Sequence, residues 1–205
     1  EGLHRTEVAG QSGRRSMLDE VDAISSVSGG SFTALAYALY GDRVFDEYPK
    51  RFLYRDVEGA LAVRALLNPV NWVRFSMSEF GRSDVAAAYY DEILFEGATF
   101  GDLAGQPTAT VIAQATNISN GARLSFIQGE FDVICSDLSS VKLAQAAAAS
   151  SAVPLALSPV TFDNHGGSCE SRFPQWMEAE AKPTARPWPE SWVQHRVREL
   201  EAFAN

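Results

Sequence analysis

The stretch that decides the fold reads Ile24-Ser25-Ser26-Val27-Ser28-Gly29-Gly30-Ser31, and it lies between a strand-like and a helix-like apolar segment. Residues 21–24 supply the strand pattern, and residues 32–40 supply the helix pattern, which Gly41 and Asp42 end. A small-x-Ser-x-Gly sequence at a strand-to-helix junction is typical of a nucleophile elbow, a tight turn that exposes a serine hydroxyl. The sequence therefore predicts such a turn at Ser28.

The residues two before and two after Ser28 are small, as a tight turn requires. Ser26 stands where a glycine is usual, and Gly30 holds the second place. We expect a larger side chain at either place to collide with neighbouring backbone. The predicted helix points its free N–H groups and its positive dipole end at the serine, where an oxyanion would form.

A second serine of similar spacing offers an internal comparison. The sequence Asn117-Ile118-Ser119-Asn120-Gly121 lies between two strand-like segments and ends in Asn-Gly. Asn-Gly between strands is typical of a hairpin turn. We therefore predict a hairpin at Ser119 and a nucleophile only at Ser28.

The composition is that of an ordinary globular protein. The chain has 205 residues, 46% of them hydrophobic and 21% charged, so one domain with one sizeable core is expected. Lys and Arg number 17 against 26 acidic residues, which gives a net charge of −9. This balance argues against a nucleic-acid binder and against strong attraction to anionic membranes.

Cysteine and histidine spacing indicates no metal site and no cofactor. Cys135 and Cys169 have neither metal-ligand spacing nor the density of a disulfide framework, and we expect two isolated buried thiols rather than a bridge. Gly29 and Gly30 lack the Lys-Ser/Thr pair of a nucleotide-binding loop. The longest weakly polar run, residues 144–157, is interrupted by Pro154, so no transmembrane span is predicted.

Strand-like and helix-like segments alternate along the chain. Strands are predicted at residues 108–115, 122–127 and 131–135, and helices at 44–67, at 84–95 with Ser83 as N-cap, and at 139–151. This alternation implies an α/β fold with a mainly parallel sheet and crossover helices on both faces. Residues 1–16 resemble a polar loop, and residues 170–205 form a Pro- and Trp-rich extension with an amphipathic helix at 190–203.

Three segments within residues 17–169 carry a family resemblance. They are residues 21–31, the strand-like Ala113-Gln114-Ala115-Thr116-Asn117, and an alanine-rich block from residue 146 to Pro154 that continues to Val160. Together they resemble the patatin-like phospholipases, a family of lipid acyl hydrolases. The three segments are similar, in order, to the nucleophile segment of bacterial members, to a core strand before a hairpin, and to the helix and proline block before the active-site aspartate.

The resemblance implies a three-layer α/β fold and a Ser/Asp dyad. Ser28 would be the nucleophile that attacks an ester carbonyl and forms an acyl-enzyme, and the backbone N–H of Gly29 would join the oxyanion hole. Such an enzyme needs no cofactor. Its expected partner is a phospholipid or other acyl lipid, with peripheral membrane contact and without nucleic acid.

Two parts of the family pattern are missing from the sequence. No Gly-Gly-Gly-x-Arg precedes Ser28, where residues 10–14 are a poor substitute, and no Asp-Gly dipeptide supplies the dyad aspartate. Because no methionine opens the sequence either, we expect residues 1–205 to be a single patatin-like domain from the central part of a longer chain, with its core at 17–169. The alternative is a chain that has lost its catalytic partners.

Other side chains could also carry chemistry. Asp163-Asn164-His165 would suit an α/β-hydrolase triad with Ser28, but a solvent-facing turn is favoured, because Asp, Asn and Gly are turn formers. His195 is expected on a solvated helix face, and His4 is expected to be unstructured. One aromatic group could line an acyl groove, although core packing is favoured for it: Trp72, Phe75, Phe80, Tyr89 and Tyr90.

The sequence thus predicts a serine lipid acyl hydrolase of phospholipase A or lysophospholipase type. Two alternatives stay open: a catalytically silent lipid-binding or interaction module on the same fold, and an α/β-hydrolase esterase that uses Ser28 and His165. The compartment is also open, and the resemblance to bacterial members favours a bacterial protein of the cytoplasm or cell envelope.

Overall fold

The computed structural model describes residues 1–10, 13–67, 81–119, 121–152, 158–166, 168–169 and 195–200. The strands are β1 (Glu7–Gly10), β2 (Gly13–Ser16), β3 (Ala23–Val27), β4 (Thr110–Thr116) and β5 (Arg123–Ser125). The helices are α1 (Gly2–Arg5), α2 (Gly29–Tyr40), α3 (Val44–Tyr48), α4 (Val57–Leu67), α5 (Arg82–Tyr90), α6 (Gln128–Phe131) and α7 (Leu143–Ser151). Residues 195–200 are also helical.

The main sheet has the strand order β3–β4–β5. Strands β3 and β4 are parallel over five residue pairs, from Ala23 with Thr110 to Val27 with Gln114. Strands β4 and β5 are antiparallel over three pairs. Parallel strands need a crossover connection, and the helices from α2 to α5 lie in it. The predicted α/β fold, with parallel pairing at the elbow strand, is therefore confirmed.

The core forms where two helices meet the central strand. Val111, Ala113 and Ala115 of β4 are buried, whereas the residues between them are half-exposed. Leu35 of α2 and Leu143 of α7 are fully buried in the same cluster. Each such leucine contributes about 1.5–3 kcal/mol through burial. This packing fixes α2, and with it the turn from which α2 starts.

Three predictions of local structure are wrong. The described part of residues 1–16 forms α1 and the antiparallel strand pair β1–β2 rather than a loop. Residues 131–134 are helical and Cys135 lies in a turn, so none of them is a strand; the carboxylate of Glu130 accepts the backbone N–H of Ser125 (2.6 Å) and so completes the end of β5. Ser83 is a buried residue inside α5 rather than its N-cap, and its backbone N–H donates to Ser158 Oγ (3.0 Å).

Cys135 and Cys169 form a disulfide, so the prediction of two isolated thiols is wrong. Cys135 lies in the left-handed region (φ 52°) at the end of the turn Asp132–Ile134. The backbone N–H of His165 donates to the carbonyl of Ile134 (3.0 Å), which brings the two segments together. The bridge joins residues 34 positions apart, a pairing that spacing alone does not reveal.

His4 and His195 both lie in helices that the structure describes. The expectation that His4 is unstructured is wrong: it lies in α1, its ring centroid is 4.6 Å from that of Phe45, and Nδ1 is 3.4 Å from the Asp42 carboxylate. His195 is exposed on the helix at residues 195–200, as predicted.

Several predicted features lie outside the described residues: the segment of Trp72, Phe75 and Phe80, the proline at 154, and most of the extension at 170–205.

Candidate active site

Ser28 stands on the turn between β3 and α2 with its side chain exposed. Its backbone has φ 54° and ψ −133°, a conformation that residues other than glycine rarely adopt. The predicted strand, turn and helix are therefore present in that order, with a positive-φ serine at the junction. A serine strained in this way between a strand and a helix is what the sequence prediction of a nucleophile elbow requires, and we call this turn the elbow.

The start of α2 leaves the Ser28 hydroxyl free of helix capping. The Ser28 side chain makes no capping hydrogen bond, and its carbonyl accepts the backbone N–H of Ser31 (2.9 Å). Gly29 is the first residue of the helix, and the first N–H groups of a helix have no intrahelical partner. The Gly29 N–H thus lies at the positive end of α2, next to the serine.

Gly29 and Gly30 both have room for a Cβ atom, so steric crowding by the described residues does not explain why they are small. A Cβ built on Gly29 or Gly30 meets no heavy atom of the described residues within 4 Å. The expected collision at Gly30 is therefore wrong. Ser26 has a polar contact instead, because its Oγ lies 3.3 Å from that of Ser31.

A hydroxyl network that the sequence did not predict lies behind the elbow. The backbone N–H of Ser28 donates to Ser150 Oγ (2.8 Å), and Ser150 Oγ donates to the carbonyl of Gln114 (2.6 Å). Ser31, which is fully buried, has its Oγ 2.8 Å from Ser150 Oγ. The only sequence signal for this network is a pair of serines at the end of an alanine-rich helix.

Ser119 lies in a hairpin, as predicted. Its backbone N–H donates to Asn117 Oδ1 (2.9 Å), and the backbone N–H of Asn117 donates to the carbonyl of Ala122 (2.8 Å). Strands β4 and β5 flank this turn on its two sides. The second serine therefore has turn geometry without a helix behind it.

A cavity of about 920 Å³ opens at the carboxyl end of β4. Ala115, Asn117, Ser150, Val160 and Phe162 lie in its wall. Val27 is paired with Gln114, so Ser28 is level with Ala115 on the neighbouring parallel strand. The cavity therefore lies on the side of the elbow to which Ser150 belongs, at the sheet edge where α/β proteins bind ligands.

The family comparison agrees with this geometry. The family model for patatin-like phospholipases matches residues 5–177. This chain belongs to the patatin-like phospholipase family. No curated protein and no solved structure matches it.

The acid that patatin-like phospholipases pair with the serine is not in place among the described residues. No carboxylate in that part of the chain hydrogen bonds to Ser28. His165 lies in an exposed turn, where the backbone N–H of Gly166 donates to Asn164 Oδ1 (2.8 Å), and it makes no hydrogen bond to Ser28. The described residues thus show the backbone and exposure of Ser28, and they assign it no proton acceptor.

Aromatic side chains pack beside the first turn of α2 in this patatin-like domain. The ring of Phe32 stacks 4.8 Å from that of Phe52 and meets Tyr90 edge-on at 4.7 Å. Burial raises the pKa of Tyr90, and burial also raises the pKa of Tyr48, whose phenol oxygen accepts a hydrogen bond from Thr33 Oγ1 (3.2 Å). Both phenols are therefore uncharged at neutral pH, and Tyr89 and Tyr90 are core residues, as favoured.

No helix among the described residues is both long and apolar enough to cross a bilayer. No group of His, Cys, Asp and Glu in the same part of the chain could hold a metal ion.

Proposed function

We propose that this chain is a serine hydrolase that cleaves carboxylic esters of phospholipids or related acyl lipids, with Ser28 as the nucleophile. The observation that carries the proposal is the positive φ of Ser28, an exposed serine between a parallel strand and a helix. Its side chain makes no capping hydrogen bond to that helix. Membership of the patatin-like phospholipase family supports lipid esters as the substrate class.

The chemistry would proceed through an acyl-enzyme. Ser28 Oγ attacks the ester carbonyl and loses its proton to a carboxylate base, which in this family is an aspartate. The Gly29 N–H, at the positive end of α2, stabilises the oxyanion of the tetrahedral intermediate. The alcohol leaves with a proton, and water then hydrolyses the acyl-serine to free acid.

The cavity beside the elbow suits one arm of such a substrate. Its wall combines apolar side chains such as Val160 and Phe162 with the polar Asn117 and Ser150. A largely apolar cavity with few polar groups is the usual setting for a small lipophilic ligand. We assign it to the part of the lipid that lies next to the scissile ester.

The partner surface in this proposal is a lipid bilayer, contacted through residues 50–55. Leu53 is 59% exposed and Tyr54 is 81% exposed, and Lys50 and Arg55 flank them. Phe52 anchors this segment on Phe32, in the first turn of α2, the helix that follows Ser28. Exposed apolar side chains between cations suit insertion at a lipid headgroup layer.

The test of the proposal is the loss of ester hydrolysis in Ser28→Ala. We expect kcat/KM for a phospholipid and for a p-nitrophenyl ester to fall by ~1,000-fold or more, as for removal of other serine nucleophiles. Ser119→Ala is the matched control for the nucleophile, because Ser119 has similar sequence spacing but lies in a hairpin; it should keep kcat, and any change should be in KM, since Ser119 lines the cavity. Hydrolysis that persists in a folded Ser28→Ala variant would overturn the proposal.

A further inference from the structure

The backbone of Ser28 needs a partner that holds it in place. A positive φ at a residue other than glycine persists only where surrounding contacts determine it. At Ser28 the backbone N–H donates to Ser150 Oγ at 2.8 Å, across 122 residues of sequence. Ser150 lies in the last turn of α7. A helix that is distant in sequence therefore contacts the elbow directly.

The hydroxyl of Ser150 has three polar partners in this arrangement. A serine hydroxyl has one proton and two acceptor positions. Its proton goes to the carbonyl of Gln114, which can only accept, at 2.6 Å. The Ser28 N–H occupies one acceptor position, and Ser31 Oγ lies 2.8 Å from the same oxygen, in a contact in which either hydroxyl can be the donor.

These three bonds join the three elements that build the site. Gln114 belongs to β4, Ser31 to the first turn of α2, and Ser28 is the turn itself. We propose that Ser150 is a positioning residue, whose hydroxyl holds the elbow in the orientation that presents the Ser28 Oγ and the Gly29 N–H to substrate. The inference rests on the proposed function of Ser28 as nucleophile. Ser150 also lies in the cavity wall, but the role proposed here runs through the Ser28 backbone and not through a reacting atom.

The neighbouring residue provides a matched control. Ser151 Oγ donates to the carbonyl of Ala147 (2.7 Å) within its own helix. Both serines are half-buried and both end α7. Ser151→Ala therefore removes a hydroxyl from the same helical turn without removing a contact with the elbow.

The experiment compares Ser150→Ala, Ser151→Ala and Ser150→Thr in the full protein by steady-state hydrolysis of a p-nitrophenyl ester. We expect Ser150→Ala to lower kcat roughly 10- to 100-fold with KM changed less than about twofold, because the Ser28 N–H loses the partner that holds the elbow. Ser151→Ala should match the wild type. Ser150→Thr should recover most of the activity, because it keeps the hydroxyl.

Other outcomes separate this inference from the proposed function. Equal kcat in Ser150→Ala and Ser151→Ala, both folded, would overturn the positioning role while leaving Ser28 untouched. Hydrolysis that survives Ser28→Ala would instead overturn the nucleophile. If Ser150→Ala does not fold, Ser150→Cys replaces it: the weakly hydrogen-bonding thiol should lower kcat, and a Cys variant as active as the Thr variant would overturn the role.

Discussion

At the scale of single residues, the site divides into what sequence reveals and what it does not. Ser28 is identified by a local pattern, because the strand before it, the helix after it and the small neighbours are adjacent in sequence. Its backbone strain is of the order of 1–3 kcal/mol, which the Ser150 and Ser31 contacts offset. Ser150 escaped prediction because its partner is 122 residues away and two serines at a helix end are unremarkable.

Replacement of His165 tests the alternative triad at this scale. His165→Ala should leave ester hydrolysis within about twofold of the wild type, because the residue lies in an exposed turn without a hydrogen bond to Ser28. The measurement is kcat/KM on the same p-nitrophenyl ester. A loss as large as that of Ser28→Ala would point to an esterase that uses Ser28 and His165.

At the scale of elements, sequence periodicity predicted that β3, α2 and the β4–β5 hairpin exist, but it predicted the first and last residues of the elements poorly. Helix α2 ends at Tyr40 and is followed by Gly41, where φ is 57°, as its sequence suggests. The β4–β5 hairpin was predicted from its turn residues. Residues 131–135 look like a strand from their apolar content, yet the buried carboxylate of Glu130 takes the Ser125 N–H where a further strand would pair. Such a tertiary contact has no local signature.

Gly30 tests the steric argument about the elbow. Because a Cβ at Gly30 meets no described atom within 4 Å and the residue is helical, Gly30→Ala should keep or raise the free energy of unfolding, by up to about 1 kcal/mol. Thermal unfolding followed by circular dichroism gives the answer. A destabilisation of more than about 1 kcal/mol would show that the position needs glycine after all.

At the scale of the whole molecule, long-range contacts tie the later part of the chain to the sheet. Arg196 and Glu130 form a buried ion pair, and the Arg196 guanidinium also donates to the carbonyl of Arg123 (2.9 Å). The disulfide between Cys135 and Cys169 holds the segment that lines the cavity. The sequence predicted neither, because pairing of distant residues leaves no periodic or spacing signal.

Thiol counting tests the disulfide. Titration of the denatured, unreduced protein with a thiol reagent should find no free thiol, and titration after reduction should find two, the number of cysteines. Loss of the bridge in Cys169→Ser should cost about 2–4 kcal/mol of unfolding free energy, as for loops of similar length. Two reactive thiols before reduction would contradict the bridge.

Vesicle binding tests the lipid contact. The double variant Leu53→Ser, Tyr54→Ser should bind phosphatidylcholine vesicles roughly tenfold more weakly in a sedimentation assay, because two apolar side chains no longer insert. Leu3→Ser is the control: Leu3 is 47% exposed in α1, whose His4 lies beside Asp42, at the opposite end of α2 from Ser28. Equal loss in both variants would contradict a specific contact at residues 50–55.

The central claim is that Ser28 is the nucleophile, and active-site labelling tests it most directly. The full protein is treated with a fluorophosphonate probe, digested, and analysed by peptide mass spectrometry. The account predicts one adduct, on Ser28, and no adduct in a folded Ser28→Ala variant. An adduct on another serine, or labelling that persists in Ser28→Ala, would contradict it, and a wild-type protein that neither reacts nor hydrolyses esters would be a silent module.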